Sequence, residues 1–318
     1  NSEVKQKNMI FEQRILLFVG FFVFFAALFM FGPRLWQDSQ SGVLSLLPKA
    51  NQAQAAIRTW TGSTSDLWSV ASNWGGTVPV TGDDLVFPGG ASNLSNTNDL
   101  TENTIFNSIT LSGSGYTLSG NKIILGQGLA GITDSAASGG NTIAFDIRVD
   151  VTREIYVTNS AEALTISGSI YGLGGITKEG TGKVIFSGAN KYGGITKINV
   201  GVINARHSTS LGSIAAGTEV VGGAALEMQG DISISYEAIT LRGYGISNGG
   251  ALRNISGDNT YGGLITLTSA GGTEISSDSG SLTITGGTTG NVPLVFDGAG
   301  DFILSTAPLS GSGIITKN

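Results

Sequence analysis

The sequence has no cysteine and only one histidine, His207, which limits the kinds of metal and catalytic site that it can form. Without cysteine, the chain can form no disulfide and no thiolate metal site. A histidine metal cluster or a Ser-His-Asp triad would depend on His207 alone. Charged residues are also scarce, at 13% of the chain, against about 25% in an average globular domain. The net charge of −6 and the lack of a basic stripe in the sequence argue against nucleic acid as a partner.

Glycine is abundant by contrast, with 49 residues, and it separates short runs in which apolar and polar side chains alternate. Such alternation is typical of strands that bury one face. After Ala56 no run shows a helical period, so an all-β body is predicted. The predicted inward sets are Ile109 and Leu111, Tyr116 and Leu118, Leu164 and Ile166, Ile198, Val200 and Val202, Ile232, Ile234 and Tyr236, Ile265 and Leu267, Leu282 and Ile284, and Phe302 and Leu304.

An uncharged apolar run at residues 15–31 predicts an N-terminal hydrophobic helix, and its length is at the short end for a membrane span. Lys5, Lys7 and Arg14 precede this run, so its N-terminal side is expected in the cytoplasm and the remainder of the chain is expected to be exported. Two alternatives stay open. The run is either an export signal that makes transient membrane contact or a retained anchor.

The region between the apolar run and the all-β body bears on this choice. Small residues at Ala53–Ala56 fit a cleavage site chemically, but they follow the run at an unusual distance for a signal peptide. If the anchor is retained, residues 32–55 are a tether and the N-terminus stays cytoplasmic.

Internal repetition distinguishes between architectures built from many short strands. The segment "GGITKEG" at Gly174 returns as "SGIITKN" near the end of the chain. "ANKYGGITK" at Ala189 returns as "DNTYGGLIT" at Asp258, and "ALTISGSIYG" at Ala163 is echoed by "SLTITGGTTG" at Ser281. Repetition of this kind favours stacked coils, a parallel β-helix, over a sandwich or a closed barrel.

Coils of about 20 to 25 residues would number roughly 10 or 11. At ~4.8 Å per coil they would form a rod of roughly 50 Å. Isoleucine, valine and leucine are expected to face inward, and threonine, serine and asparagine outward. Val184 and Phe186 are predicted core residues.

The segment Gly174–Ala205 resembles the autotransporter-associated β-strand repeat, also called the passenger-associated transport repeat. It carries a glycine pair, Ile-Thr-Lys, Gly-x-Gly, a strand, Ser-Gly-Ala-Asn-x-Tyr and a Gly-Gly turn. Leu241–Asn318 resembles the pattern in part, and Thr59–Phe87 resembles the head that often opens such proteins. The resemblance implies a right-handed parallel β-helix displayed on or released from the cell surface.

Four regions are expected along the chain. Residues 1–31 form the signal or membrane segment, and residues 32–55 form the linker or cleavage region. Residues 56–105 form the N-terminal cap of the solenoid, and residues 106–318 form its repeats. Because the last motif is incomplete, the repeats are expected to continue beyond Asn318 in the natural protein.

Three tryptophans at the start of the body, Trp60, Trp68 and Trp74, have two interpretations. They could form an aromatic platform for a sugar, or they could cap the open end of the solenoid core, as large aromatics do. The cap is the favoured interpretation.

Several acidic residues could be interpreted as calcium ligands. A calcium site needs six or more oxygen ligands. Asp83 and Asp84 are adjacent and so point to opposite faces of a strand, which favours a turn at "TGDD". "DGAGD" at Asp297–Asp301 is also interpreted as a turn. No metal site is predicted.

The remaining candidate residues are isolated. His207 lies in a turn-rich gap between strands and is interpreted as a turn histidine. Asn93 and Asn254 are formal glycosylation acceptors, to which little weight is given.

The leading hypothesis is an exported, surface-displayed, non-enzymatic β-solenoid that acts as a stalk or adhesin segment. No catalytic, cofactor-binding or metal-binding residues and no cofactor are predicted. A cell-surface or carbohydrate ligand and self-association through the solenoid ends are the partners considered. Two rivals remain: a polysaccharide-degrading β-helix enzyme, which would need converging carboxylates, and a self-assembling extracellular filament subunit.

Overall fold

The computed structural model describes residues 55–126, 130–305, 308–310 and 313–318. The predicted hydrophobic helix at residues 15–31 and nearly all of the predicted linker lie outside these residues. The described residues belong to one compact unit that begins at Gln54. Within it the helical segments are two short 3-10 turns, Ala71–Trp74 and Ile246–Asn248. No helix in this described part is long and apolar enough to span a membrane.

The described residues form 31 strands, numbered here in chain order. They are β1 (Ile57–Thr59), β2 (Asp84–Phe87), β3 (Ser95–Asn98), β4 (Thr104–Phe106), β5 (Ser108–Leu111), β6 (Thr117–Gly120), β7 (Ile123–Leu125), β8 (Ala130–Asp134), β9 (Asn141–Ile143), β10 (Ile147–Val149), β11 (Arg153–Val157), β12 (Ala163–Ile166), β13 (Ile170–Gly172), β14 (Ile176–Glu179), β15 (Lys183–Phe186), β16 (Lys191–Tyr192), β17 (Thr196–Ile198), β18 (Val202–Ala205), β19 (Thr218–Val220), β20 (Ala225–Gln229), β21 (Ser233–Ile234), β22 (Ile239–Leu241), β23 (Leu252–Ser256), β24 (Asp258–Tyr261), β25 (Ile265–Leu267), β26 (Thr273–Ser277), β27 (Ser281–Ile284), β28 (Thr288–Thr289), β29 (Leu294–Asp297), β30 (Asp301–Leu304) and β31 (Ile315–Lys317).

These strands stack into sheets that run along the solenoid. Sheet A has 11 strands, in the order β1-β2-β5-β8-β11-β14-β17-β19-β22-β25-β28, and sheet B has 11, in the order β3-β6-β9-β12-β15-β18-β20-β23-β26-β29-β31. The third face holds sheet C, with 5 strands (β16-β13-β10-β7-β4), and sheet D, with 4 strands (β21-β24-β27-β30).

Neighbouring strands in these sheets pair in parallel, one coil on the next. The prediction of an all-β parallel solenoid of roughly 10 or 11 coils is therefore confirmed by about 11 coils. Its right-handedness and the boundaries of the four sequence regions stay predictions.

The core is a column of aliphatic and aromatic side chains enclosed by the three faces. Val184 and Phe186 are fully buried, as predicted. Each inward side chain lies over its equivalent in the next coil, and Leu164, for example, is in register with Val184. At about 25 cal/mol per Å² of buried apolar area, this column is the main source of stability.

Three side chains that the alternation predicted to be inward are exposed instead. Val200 is 39%, Tyr236 78% and Leu304 46% exposed. Val200 and Tyr236 lie beyond the ends of β17 and β21, at corners where the chain direction changes and the two-residue period ends. Leu304 lies on β30, the last strand of sheet D, where no further described strand stacks over it.

Several asparagines were predicted to face outward, and that prediction is wrong. Asn141, Asn190 and Asn259 are buried at the corners. The Asn259 Oδ1 accepts the backbone N–H of Ile232, one coil away, at 2.8 Å. A buried corner leaves backbone groups without a ladder partner, and these amides supply one.

The sequence echoes do not all mark equivalent positions in the solenoid. Tyr192 and Tyr261, from the two "YGG" segments, both lie on the third face, in β16 and β24. By contrast, Ile176–Glu179 of "GGITKEG" form β14 in sheet A, whereas Ile315–Lys317 of "SGIITKN" form β31 in sheet B. The final segment is therefore not the start of the same step as the one at Gly174.

Candidate functional site

The three tryptophans are packed together at the start of the solenoid. Trp60, Trp68 and Trp74 are at most 4% exposed, and the Trp60–Trp74 and Trp68–Trp74 ring centroids are 5.0 and 5.7 Å apart. Their edge-to-face geometry is the preferred one for aromatic pairs. The Trp68 Nε1–H donates to Asn96 Oδ1 at 2.7 Å. Because the rings are buried, they offer no platform to a sugar, and the geometry supports the cap interpretation.

The carboxylates of the adjacent Asp83 and Asp84 bind other groups of the protein. Asp83 is buried and forms an ion pair with Arg58 at 2.7 Å, and its carboxylate also accepts the Val80 backbone N–H at 2.9 Å. Asp84 accepts a hydrogen bond from the Ser108 hydroxyl at 2.6 Å. The two carboxylates thus tie neighbouring segments together and do not converge on one point.

The other isolated candidates also have local partners. The Asp297 carboxylate accepts the backbone N–H of Gly298 at 2.7 Å, inside a turn. The His207 Nδ1 accepts the backbone N–H of Thr209 at 3.1 Å, as a turn histidine would. Across the described ranges, no group of three or more His, Asp or Glu side chains could hold a metal ion.

The two formal glycosylation acceptors differ in their surroundings. Asn254 is fully buried, and its Nδ2 donates to Ser277 Oγ and the Ser279 carbonyl, each at 3.0 Å. Asn93 is half-buried and donates to the Ser65 carbonyl at 3.2 Å. The folded protein therefore leaves the Asn254 amide inaccessible to modification.

The outward side of sheet A includes a row of polar side chains, one from each of seven successive coils. Each of these side chains is half-buried, and its neighbours along the strand face the core. The Lys197 Nζ and Glu219 Oε2 in this row are 3.7 Å apart. The row, in register across the sheet, consists of Glu154, Thr177, Lys197, Glu219, Thr240, Thr266 and Thr289.

Sheet B carries a more charged row, in which acids lie beside bases. Glu227 forms an ion pair with Lys183 at 2.6 Å, and Arg253 forms one with Asp278 at 2.7 Å. Burial raises the pKa of the neighbouring Glu274 carboxyl. Two of these carboxylates are paired with cations, and such pairing is typical of a structural network and does not supply the free acid and base of a hydrolase.

A buried lysine in the repeat-like segment was missed by the sequence reasoning. Lys178 is fully buried on β14, and its Nζ donates to the carbonyls of Glu179, Gly180 and Val200 at 2.6, 2.7 and 3.2 Å. Burial lowers the pKa of Lys178 to about 7. The side chain clamps the turn that leads from sheet A to sheet B.

Exposed apolar side chains concentrate at the corner that joins the third face to sheet A. Leu173 is the most exposed, at 83%. One such side chain occurs at this corner in each of several successive coils: Val151, Leu173, Ile195, Ile214, Tyr236 and Leu264. This apolar corner and the polar rows lie on the lateral surface of the solenoid, and contiguous exposed apolar side chains are typical of surfaces that contact other molecules.

The comparisons with known proteins agree with this description at a coarse level. No family model matches the chain, so the resemblance to the β-strand repeat stays a prediction. No solved structure matches it either. The chain is similar to a protein named adhesin BmaC autotransporter from Brucella suis biovar 1 (strain 1330), with 30% identity over 260 residues. The match covers 81% of this chain and 6% of that adhesin's length, so the chain is similar to one short segment of an autotransporter adhesin.

Proposed function

We propose that the chain is part of an exported, surface-displayed β-solenoid that acts as a stalk or adhesin segment and is not an enzyme. The observation that carries this proposal is the stack of 11 strands in each of sheets A and B, which extends across the described coils. Ladder hydrogen bonds and the aliphatic column make such a stack stiff. The similarity to a segment of an adhesin supports an extracellular position.

The carboxylate arrangement argues against the polysaccharide-degrading rival. A glycosidase needs two carboxyl groups about 5 to 9.5 Å apart across a substrate groove. In sheet B, Glu227 and Asp278 are each paired with a cation, and the sheet A row offers mainly threonine. Ion pairs of this kind are expected on a surface that has no catalytic role.

The filament rival has one observation in its favour. Ile303, Leu304 and Ile315, on β30 and β31, are about half exposed. A second copy or a further coil of the same chain would cover this edge equally well. Sedimentation of the full-length protein at rising concentration separates the two, because only the filament grows with concentration.

The proposal also covers the N-terminal segment. Residues 15–31 would contact the membrane, either transiently as a signal or permanently as an anchor with a cytoplasmic N-terminus. Mass spectrometry of the mature N-terminus distinguishes these forms, since a start at Ala56 is incompatible with a retained anchor.

The proposed function is tested on cells that express the full-length protein. Cells with an in-frame deletion of residues 57–305 are compared with unmodified cells for adherence to host-cell layers and for release of reducing ends from polysaccharides. Loss of adherence without any difference in reducing ends is expected. Reducing ends that appear only with the intact protein would contradict the non-catalytic assignment.

A further inference from the structure

One corner between sheet A and sheet B carries an additional turn. The 3-10 turn Ile246–Asn248 lies between β22 and β23. The backbone N–H of Gly250 donates to the carbonyl of Tyr244 at 2.9 Å, and this bond closes the base of the turn. Residues 246–249 therefore lie outside the ladders of stacked strands.

Two adjacent residues of this turn have the left-handed backbone conformation. Ser247 has φ 54° and Asn248 has φ 57°, and both residues are exposed. The Gly249 N–H donates to the Ile246 carbonyl at 3.0 Å and completes the turn. This conformation is unfavourable for residues other than glycine, and more so for serine than for asparagine. A strained, exposed turn is expected to open more readily than strands that pack on the core.

The same turn contains the only Asn-Gly step of the sequence, Asn248-Gly249. Asparagine is a thermolabile residue, because the backbone nitrogen of the next residue can attack its side-chain carbonyl carbon. Glycine leaves that nitrogen unshielded, since it has no Cβ. The step most open to this reaction therefore lies in an exposed and strained turn.

Two asparagines of the described residues precede serine, the next smallest obstruction, and both side chains are held in place. The Asn107 Nδ2 donates to the Gly82 carbonyl at 2.6 Å. The Asn159 Nδ2 donates to the Ala137 carbonyl at 2.7 Å, and its Oδ1 accepts the Ala161 N–H at 3.0 Å. These bonds restrain the two amides, so Asn107 and Asn159 serve as internal references for Asn248.

A cation lies beside the backbone of this step. A Cβ built on Gly249 would be 3.2 Å from Arg253 Nη1, so the guanidinium group lies close to Gly249. The Nη2 of the same group lies 2.7 Å from Asp278 Oδ2. A fixed positive charge stabilises the negative charge that develops when an amide nitrogen loses its proton and attacks a carbonyl group. Arg253 is therefore placed to favour attack by the Gly249 nitrogen.

We propose that Asn248 is a spontaneous modification site, at which asparagine is converted to aspartate and isoaspartate in the folded protein. The Gly249 nitrogen bonds to the side-chain carbonyl carbon of Asn248, and the bond from that carbon to Nδ2 breaks. The proton of the Gly249 nitrogen leaves with Nδ2 as ammonia. Water then opens the cyclic succinimide at either carbonyl group, which gives aspartate or isoaspartate. The reaction consumes only water and needs no enzyme or oxidant.

The product adds a negative charge to this part of the surface. The new carboxylate belongs to the turn beside Arg253, which already pairs with Asp278. Because residues 246–249 lie outside the strand ladders, we expect the solenoid to stay folded after the conversion. The inference concerns the chain itself and does not depend on the proposed function.

The test is peptide mapping by mass spectrometry of the purified full chain, stored at physiological temperature in neutral and in mildly alkaline buffer. Electron-transfer fragmentation distinguishes isoaspartate from aspartate. Both products are expected at Asn248, and they should form faster at the higher pH because the attacking nitrogen must lose its proton. Conversion at Asn107 and Asn159 should be much slower. Conversion of Asn248 no faster than that of these two, or only in a parallel sample unfolded in urea, overturns the proposal.

A variant of the attacking residue tests the route. Gly249→Ala shields the nitrogen and should slow the conversion severalfold. Its φ of −105° is accessible to alanine, and the new Cβ would lie 3.2 Å from its nearest neighbours, so the variant should fold. Gly89→Ala, where a Cβ meets no atom within 4 Å, is the matched control and should leave the rate unchanged. An unchanged rate in folded Gly249→Ala contradicts attack by the backbone nitrogen.

The products decide the route even if Gly249→Ala fails to fold. Direct hydrolysis of the side-chain amide gives aspartate alone, whereas the succinimide gives both products, so aspartate without isoaspartate at Asn248 overturns the proposal. Arg253→Gln should slow the conversion, and Arg253→Lys, which keeps the charge, should retain more of the rate. Equal rates in Arg253→Gln and the parent contradict the contribution of the guanidinium group.

Discussion

The side-chain oxygen of Asn190 accepts a hydrogen bond from the backbone N–H of Ile170, one coil earlier, at 2.8 Å. The same amide donates through Nδ2 to the carbonyl of Ser210, one coil later, at 2.7 Å. Asn190 is 1% exposed, so these bonds are shielded from water. One side chain of the repeat-like segment therefore joins three successive coils.

Replacing Asn190 with alanine should destabilise the solenoid by about 1 to 3 kcal/mol, because a buried N–H and a buried carbonyl lose their partner. Urea unfolding followed by circular dichroism measures the change. Lys191→Ala, on the exposed adjacent position, is the matched control and should stay within about 0.5 kcal/mol of the parent. Equal effects of the two substitutions would show that the bridge does not contribute.

The second prediction concerns a glycine at a corner between the third face and sheet A. Gly263→Ala should destabilise by at least about 1 to 3 kcal/mol, because the new methyl group overlaps the Glu237 carbonyl oxygen. At Gly271 the same substitution meets no atom within 4 Å and should be nearly neutral. Thermal unfolding of the pair checks the difference, and a neutral Gly263→Ala would contradict the close stacking of these corners.

The cap cluster should be among the most sensitive parts of the core. Trp68→Ala removes a fully buried indole and its hydrogen bond to Asn96, with an expected cost of about 3 to 5 kcal/mol. Trp68→Phe keeps most of the packing and should cost clearly less. If both substitutions leave the urea midpoint unchanged, the tryptophans do not close the core.

Because Lys178 is buried, we expect the stability of the folded protein to depend on pH. Its pKa is about 7 in the folded protein, whereas a lysine in an unfolded chain titrates near about 10.4. As pH falls through this window the unfolded chain takes up the proton first, so the free energy of unfolding decreases from about pH 10 to pH 7, by at most about 1.4 kcal/mol per pH unit. Below pH 7 this contribution is constant.

Lys178→Met should remove that slope, whatever it does to absolute stability. Lys197→Met, in the half-exposed polar row of sheet A, should leave the slope in place. The measurement is urea unfolding at a series of pH values. A slope that is the same in Lys178→Met and the parent would contradict the burial of this ammonium group.

The sequence predicted the core because alternation with period two is enough to decide which side of a strand is buried. Leu164 and Ile166 follow this rule, and both are buried. Tyr236 does not, because it lies past the end of β21, where its side-chain direction depends on a turn that alternation does not describe.

Other features were beyond prediction because they depend on neighbouring coils. Asparagine is a residue type that is mostly exposed in proteins. Only the adjacent coils supply the backbone partners that allow Asn190 to be buried. The echo between "GGITKEG" and "SGIITKN" occupies two different sheets because a strand with the same alternation fits any face of the solenoid.

The most direct test of the central claim is antibody labelling of cells that express the full-length protein, with antibodies raised against residues 56–318. Intact and permeabilised cells are compared, with a cytoplasmic protein as the control for leakage. A surface-displayed solenoid predicts equal labelling of intact and permeabilised cells. Labelling that appears only after permeabilisation would contradict the proposed surface role.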